Sequence, residues 1–223
     1  MNKVVVLYSG GLDSSVVATH LASQGYKVYL LAVDNGVSHY LELSKIKYRY
    51  MKRRYRNIRK LIIADATYLF KKYLIERLEE DIRRYKYNLI CVGCKLIMYF
   101  LAAAVGKIIG SNIIADGYSK RQDSYPEQKL EVMKIYANIL NRYGFRIIHP
   151  IYYVKDIPNI KALSIKYGIP PKSIEPLCMF GNSFSHNIPI NVIMNYLQDK
   201  YNLMKNELEE LFEARWWLKS IIT

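Results

Sequence analysis

The chain has 223 residues, of which 51% are hydrophobic, and its 33 Lys and Arg residues outnumber 19 Asp and Glu residues to give a formal net charge of +14. This length suffices for one ordinary domain with a sizeable core, and we find no apolar run long enough to span a bilayer. Since the first residues form a strand pattern and not a signal peptide, we expect a cytoplasmic protein with no membrane partner.

Apolar runs alternate with helical patterns over residues 3–149. Strands are predicted at 3–8, 27–33, 60–64, 112–115 and 146–149, and helices at 14–24, 40–54, 67–85, 95–109 and 127–143. The short strands are rich in β-branched residues and apolar on both faces, which is typical of a parallel sheet with right-handed crossovers. The predicted fold class is therefore α/β, a doubly wound, Rossmann-like parallel sheet with ligands at the carboxyl ends of its strands.

The sequence becomes turn-rich after residue 168, and two amphipathic helices are predicted beyond it, at 190–201 and 205–220. We place a soft boundary near residue 186. It separates a main domain of residues 1–186 from a small C-terminal helical extension of residues 187–223. Trp216 and Trp217 are predicted to anchor this extension in the core or in a homodimer.

The connection between the first strand and the first helix carries a specific motif, Ser9-Gly10-Gly11-Leu12-Asp13-Ser14-Ser15. A Gly-rich turn at a helix N-terminus binds anions, because backbone N–H groups approach an oxyanion and the helix dipole adds partial positive charge. The spacing is neither that of an ordinary P-loop nor GxGxxG. It resembles the PP-loop of the ATP pyrophosphatases, which cleave ATP between its α- and β-phosphates.

This resemblance implies a site for ATP and Mg²⁺. The residues that would surround the pyrophosphate are Ser9, Gly10, Gly11, Ser14 and Ser15. Asp13 would position Mg²⁺, a hard cation that bridges phosphates. Taken alone, Asp13 could also cap the helix that follows it.

Three further segments end at the sheet edge where the nucleotide is expected. Asp34 follows the second strand, where the resemblance implies contact with adenosine, but the sequence Asp-Asn-Gly is also strong turn chemistry. Asp116 and Gly117 follow a later strand, near the expected adenylate. Lys155 lies in a segment similar to the family's Pro-Leu…Lys region, whose lysine can face phosphate.

A basic stretch at residues 45–60 holds much of the positive charge and has three tyrosines interleaved. Clustered basic residues attract polyanions, and tyrosines can stack on bases. The alternative is a solvated helix face. Five residues are predicted to contact a tRNA partner: Lys45, Arg49, Arg53, Arg54 and Arg56.

The three cysteines are Cys91 and Cys94, spaced as CxxC, and the distant Cys178. An odd number argues against a disulfide framework, and structural zinc would need a fourth ligand. The layout resembles the iron–sulfur branch of the tRNA thiolation enzymes, which implies that three thiolates hold a [4Fe-4S] cluster. A persulfide with a disulfide partner, or three unlinked buried cysteines, are the alternatives.

The main functional hypothesis joins the two resemblances. ATP would adenylate a base carbonyl oxygen, and cluster-bound sulfide from an unidentified donor would replace that oxygen, as in a tRNA sulfurtransferase. The predicted catalytic residues are Asp13, Cys91, Cys94 and Cys178.

The alternatives come from other classes. Residues 123–127, Asp-Ser-Tyr-Pro-Glu, resemble the Tyr-Pro-Asp region of the 7-cyano-7-deazaguanine synthases, which activate a carboxylate on a small deazapurine. Those enzymes carry clustered zinc cysteines near the C-terminus and this chain does not, so we rank this hypothesis second. A small-molecule sulfur-insertion enzyme and a non-catalytic nucleotide- or RNA-binding protein follow.

Overall fold

A computed structural model of the chain describes residues 2–39, 41–154, 156–173, 177–180 and 188–223. The strands are β1 (Lys3–Leu7), β2 (Lys27–Asp34), β3 (Ser38–His39), β4 (Ile58–Asp65), β5 (Ile113–Ala115), β6 (Arg146–Ile148), β7 (Leu177–Cys178) and β8 (Leu218–Ile222). The helices are α1 (Leu12–Ser23), α2 (Leu43–Arg54), α3 (Thr67–Phe70), α4 (Leu78–Tyr85), α5 (Ile90–Ile109), α6 (Leu130–Asn141), α7 (Ile157–Lys166) and α8 (Ile190–Glu210).

Six strands form the main sheet in the order β6-β5-β1-β2-β4-β8. The first five pair in parallel, and β8 pairs antiparallel with β4. The chain moves from β1 through β2 to β4 on one side and then returns to place β5 on the other side of β1. Strand order therefore reverses beside β1, and a ligand crevice is expected outside the carboxyl ends of β1 and β5. The predicted α/β class and its five strands are confirmed.

Both faces of the sheet are covered. One core cluster joins the sheet to α5, α6 and α8, and a second joins it to α1, α2 and α7. By length and composition α5 could cross a membrane, which the sequence analysis missed, but 72% of its most apolar window is buried inside the fold. Its apolar character is thus accounted for by core packing.

The predicted helices differ most from the structure at residues 67–85 and in the C-terminal part. The helix predicted at 67–85 is interrupted by a π-helical turn at Lys71–Ile75, which buries Tyr73 and Leu74. The helix predicted at 205–220 is wrong beyond Glu210, because residues 218–222 form β8 with alternating burial and extend the sheet edge.

The two tryptophans differ in burial. Trp217 is fully buried and its indole N–H donates to the carbonyl oxygens of Leu211 at 3.0 Å and Ala214 at 2.9 Å, so it anchors the C-terminal segment in the core. Trp216 is 44% exposed. The boundary near residue 186 lies outside the described residues, and the domain division and the homodimer remain predictions.

Candidate functional site

A pocket of about 350 Å³ lies at the carboxyl ends of β1 and β2, below the start of α5. It is walled by the PP-loop, the turn after β2, the first turns of α5, the segment after β5, and β7. Eight predicted site residues line it: Ser9, Gly11, Asp13, Ser14, Cys91, Cys94, Gly117 and Cys178. The other four described ones, Gly10, Ser15, Asp34 and Asp116, lie outside its lining, and Lys155 lies outside the described residues.

The PP-loop is held in shape by its own hydroxyl groups. The backbone N–H of Gly11 donates to Oγ of Ser9 at 3.1 Å, and Oγ of Ser15 donates to the carbonyl of Gly11 at 2.6 Å. Gly10 has a φ of +88°, in the left-handed region that glycine adopts without strain. Gly11 directly precedes α1, and the N–H of Leu12 donates to Oγ of Ser173 at 3.3 Å. The loop thus leads into a helix N-terminus, where backbone N–H groups favour an anion.

Gly117 brings the segment after β5 against the PP-loop. A Cβ at this position would lie 2.9 Å from the amide nitrogen of Ser14 and 3.1 Å from Cβ of Asp13. Any larger residue would therefore push the loop away from the sheet edge. The structure places Gly117 beside the predicted phosphate site, and its contact with a nucleotide remains a prediction.

Asp13 lines the pocket and forms an ion pair with Arg121, a residue that the sequence analysis missed. Both side chains are largely buried, at 23% and 16% exposure. One carboxylate beside a phosphate site suits Mg²⁺, which keeps several waters and takes few protein ligands besides substrate phosphates. The residues fit this ion, and the role of Asp13 toward it remains a prediction.

The carboxylate of Asp34 takes part in a turn and in an ion pair. Its carboxylate accepts the N–H of Gly36 at 3.0 Å and pairs with Nζ of Lys219 at 2.6 Å. Burial acts to raise the pKa of Asp34, but these two hydrogen bonds outweigh it and lower the pKa. The next residue, Asn35, lines the pocket instead, which sequence reasoning missed.

Asp116 lies behind the pocket wall and orients it. It is 1% exposed and accepts hydrogen bonds from the Tyr99 hydroxyl, from Nδ1 of His149 at 2.7 Å and from the N–H of Tyr118 at 3.0 Å. Burial opposes ionisation, yet His149 and these hydrogen bonds lower the pKa of Asp116. Asp116 therefore fixes the segment that carries Gly117.

The three cysteines converge on the pocket. Cys91 and Cys94 lie in the first turns of α5, which begins at Ile90 and not at residue 95 as predicted. Cys178 lies on β7, which pairs with β3, and its sulfur accepts from Nδ2 of Asn35 at 3.8 Å. Burial raises the pKa of the Cys94 thiol far above its usual range, and Cys91 and Cys178 act in the same direction.

Proximity of the thiols does not make a metal centre. None of the three forms a disulfide with another. Within the described ranges, no group of three or more His, Cys, Asp or Glu side chains is arranged to hold a metal ion. The geometry gives no support to the predicted [4Fe-4S] cluster at these cysteines.

A second wall of the pocket, formed by Lys95, Tyr118, Glu127 and Gln128, carries polar residues that sequence reasoning did not assign to the site. Nζ of Lys95 lies 4.4 Å from the ring centroid of Tyr118, and both residues line the pocket. Glu127 and Gln128 line it from a 3₁₀ turn at Pro126–Gln128. Two features of the sequence could have identified these residues. Lys95 directly follows the CxxC pair, and Glu127 ends the Asp-Ser-Tyr-Pro-Glu segment.

The basic stretch lies away from this pocket's lining. Lys45, Arg49, Arg53 and Arg54 are on α2 and Arg56 follows it. Lys45 pairs with Glu42, and the four arginines are exposed. Their contact with tRNA remains a prediction.

Comparison with known proteins identifies close relatives in one family. Residues 3–174 match the family described as queuosine biosynthesis protein QueC. The 7-cyano-7-deazaguanine synthase of Thermoplasma volcanium is 27% identical over 182 residues, which cover 75% of this chain and 74% of that protein. The 7-cyano-7-deazaguanine synthase of Nitrosospira multiformis is 30% identical over 177 residues, with 75% of each chain covered.

A solved structure shows the same fold. A 4-thiouridine synthetase in complex with RNA and ATP superposes with a TM-score of 0.69 at 18% identity, over 100% of this chain and 55% of that one. This likeness concerns the fold alone.

These findings correct the main functional hypothesis. The prediction of a tRNA sulfurtransferase with an iron–sulfur cluster is wrong, because the family match and the curated relatives are those of the second-ranked hypothesis. The lack of clustered C-terminal cysteines was given too much weight. Since the family match spans most of the sequence and includes the PP-loop, the chain belongs to the QueC family of PP-loop ATP pyrophosphatases.

Proposed function

We propose that the protein converts the carboxylate of 7-carboxy-7-deazaguanine to a nitrile at the expense of ATP, as a 7-cyano-7-deazaguanine synthase. The observation that carries this proposal is a single pocket that is lined by the PP-loop, by apolar side chains and by the polar residues Lys95, Glu127 and Gln128. The family match over residues 3–174 supports the same reaction.

The PP-loop end of the pocket suits the triphosphate. Backbone N–H groups at the start of α1 bind the phosphate oxygens, and the helix dipole favours their negative charge. Asp13 would hold Mg²⁺, which supplies charge neutralisation at the phosphates when bound. Arg121, paired with Asp13, holds that carboxylate at the pocket edge.

The rest of the pocket suits a small flat acid. Its apolar lining includes Phe70, Met98 and Phe180, which can cover the faces of a heterocycle. Lys95 is the one positively charged side chain among the described lining residues. It is therefore suited to orient the substrate carboxylate toward the α-phosphorus of ATP.

The reaction balances as two successive activations. A carboxylate oxygen attacks the α-phosphorus, pyrophosphate leaves, and ammonia then displaces AMP from the acyl carbon to give an amide and a proton. In the second round the amide oxygen attacks the α-phosphorus of another ATP, and a second pyrophosphate leaves. Loss of AMP and protons then gives the nitrile. Both carboxylate oxygens end in AMP, and the nitrile nitrogen comes from ammonia.

The test is product analysis with purified protein, 7-carboxy-7-deazaguanine, ¹⁵N-ammonium and Mg-ATP. We expect a ¹⁵N-labelled nitrile by mass spectrometry. Two AMP and two pyrophosphate molecules should form for each nitrile. Asp13→Ala serves as the control, because it keeps Lys95, Glu127 and Gln128 and removes the acidic group beside the predicted phosphate site. Release of ADP and phosphate, or sulfur in the product, contradicts the proposal.

A further inference from the structure

Two buried acceptor atoms in the second wall of the pocket have no donor among the described residues. Oε2 of Glu127 and Oε1 of Gln128 are shielded from solvent and have no hydrogen-bond partner in the part of the chain that the structure describes. Both residues line the pocket. Buried polar atoms in native proteins are nearly always hydrogen-bonded, and leaving one without a partner costs stability. This pair therefore marks a place where a ligand supplies donors.

The backbone holds these acceptors in place. Pro126 is buried at the start of the 3₁₀ turn, and the N–H of Gln128 donates to the carbonyl of Tyr125 at 2.9 Å. The turn packs between α5 and α6. Because proline fixes φ and the neighbouring helices confine the turn, its two side chains cannot readily turn outward to water.

The Glu127 carboxylate has no ion-pair partner among the described residues. Burial raises its pKa, and Lys95 acts in the opposite direction. Lys95 itself lies over the Tyr118 ring, and the other ionisable groups that face Glu127 are the hydroxyls of Tyr118 and Tyr136. Among the described residues no ion pair forms with Glu127 within 4.0 Å. A ligand with N–H donors would satisfy this carboxylate.

Resting on the proposed function, we propose that Glu127 and Gln128 form the specificity subsite for the 2-aminopyrimidinone edge of the deazaguanine. That edge carries a ring N–H and an exocyclic amino group side by side, so it can donate to a carboxylate. Gln128 accepts a further N–H of the same heterocycle. Hydrogen bonds to a charged acceptor are stronger than neutral ones and carry directional specificity.

This arrangement makes a clear choice between analogues. A deazahypoxanthine lacks the amino group and leaves one donor for the carboxylate. A deazaadenine presents an acceptor nitrogen on the same edge and opposes the carboxylate. A site built to hydrogen-bond a substrate group rejects analogues that lack it, because its own buried groups are then left unpaired.

The test measures binding by titration calorimetry of 7-carboxy-7-deazaguanine and of its 2-deamino analogue, with α,β-methylene-ATP present. We expect the wild-type protein to prefer the amino compound by about 10- to 100-fold, as for a hydrogen bond to a charged group. Glu127→Gln should weaken binding of the amino compound by a similar factor and remove the preference. Glu131→Gln, at an exposed position in α6, is the matched control.

The outcomes separate the two proposals. Binding of neither compound by the wild-type protein overturns the proposed function. Binding of both with equal affinity by the wild-type protein, or an unchanged preference in Glu127→Gln, overturns the subsite while the proposed function stands. Retained binding of α,β-methylene-ATP shows that the variant is folded, and the wild-type preference tests the subsite without any variant.

Discussion

The pocket has two walls that satisfy their polar atoms in opposite ways. At the PP-loop wall the hydroxyls of Ser9 and Ser15 bond to backbone groups of the loop itself. At the second wall Glu127 and Gln128 keep acceptors without partners among the described residues. The first wall therefore uses its own groups to hold its shape. We propose that the substrate completes the second wall, so we expect substrate choice to depend on it.

The largest effect on activity is expected from Gly117→Ala, which would displace the PP-loop wall. The added methyl group would lie 2.9 Å from the amide nitrogen of Ser14, so the PP-loop must shift. Displacing a binding loop by about 1 Å can cost on the order of 100-fold in rate. We expect a loss of that size in kcat/KM for AMP formation, measured by coupled assay.

Gly144→Ala is the control for this substitution. Gly144 has a φ of +81° with nothing within 4 Å of an added Cβ, so alanine there costs backbone strain without touching the pocket. It should lower Tm and leave kcat/KM within about twofold, because about 1 kcal/mol of strain still leaves the protein folded. Equal activity losses in both variants would show that Gly117 acts through stability alone.

A second, smaller effect concerns the incomplete wall. Burial raises the pKa of Glu127 in the folded protein, so the folded state holds its proton to higher pH than the unfolded chain. Stability is then full below the unfolded pKa and falls as pH rises through the folded pKa. Glu127→Gln removes this loss, so its Tm should exceed that of the wild type by a few degrees at pH 8 and match it near pH 4. A lower Tm at pH 8 would show that the carboxylate stabilises the fold.

The two walls also differ in how far the sequence predicts them. The PP-loop is a contiguous motif whose glycines and serines act locally, so its place between β1 and α1 follows from spacing. Glu127 reaches the pocket because α5 and α6 hold a short turn, and that depends on tertiary packing. The sequence shows that a glutamate is present, but it cannot show that no described residue donates a hydrogen bond to its Oε2.

The same reasoning explains the errors at the cysteines and at the C-terminus. Cys91 and Cys178 do line one pocket. Their spacing in the sequence, however, does not determine whether their side chains are arranged to bind a metal. The sequence near Trp217 shows an apolar pattern that suits a helix, whereas pairing of β8 with the open edge of β4 overrides that pattern.

The three thiols line the same pocket and can be used to compare solvent access within it. Cys178 is exposed, whereas burial raises the pKa of Cys94 and keeps it protonated. The thiolate is the reactive form of cysteine, so iodoacetamide should modify Cys178 at least about 10-fold faster than Cys94. Peptide mass spectrometry measures the two rates. Substrate and α,β-methylene-ATP together should slow the labelling of Cys178. Equal rates at both cysteines would mean that the inner pocket is open to water.

The smallest effect on turnover is expected outside both walls, on α2. Replacing Arg49, Arg53 and Arg54 with glutamine removes three exposed charges and touches no described lining residue. Turnover of the small acid should stay within about twofold, since exposed charges this far from the chemistry contribute little at physiological salt.

The same variant tests the tRNA partner by a separate measurement. If α2 binds RNA, the slope of log Kd against log salt should fall by about 2 units, because each lost phosphate contact releases about 0.7 to 0.9 fewer counterions. A triple variant of equal charge at Lys107, Arg142 and Arg146, all exposed, is the matched control. Equal slopes in both variants would identify α2 as a solvated face, and the whole substrate choice would then rest on the pocket wall at Glu127.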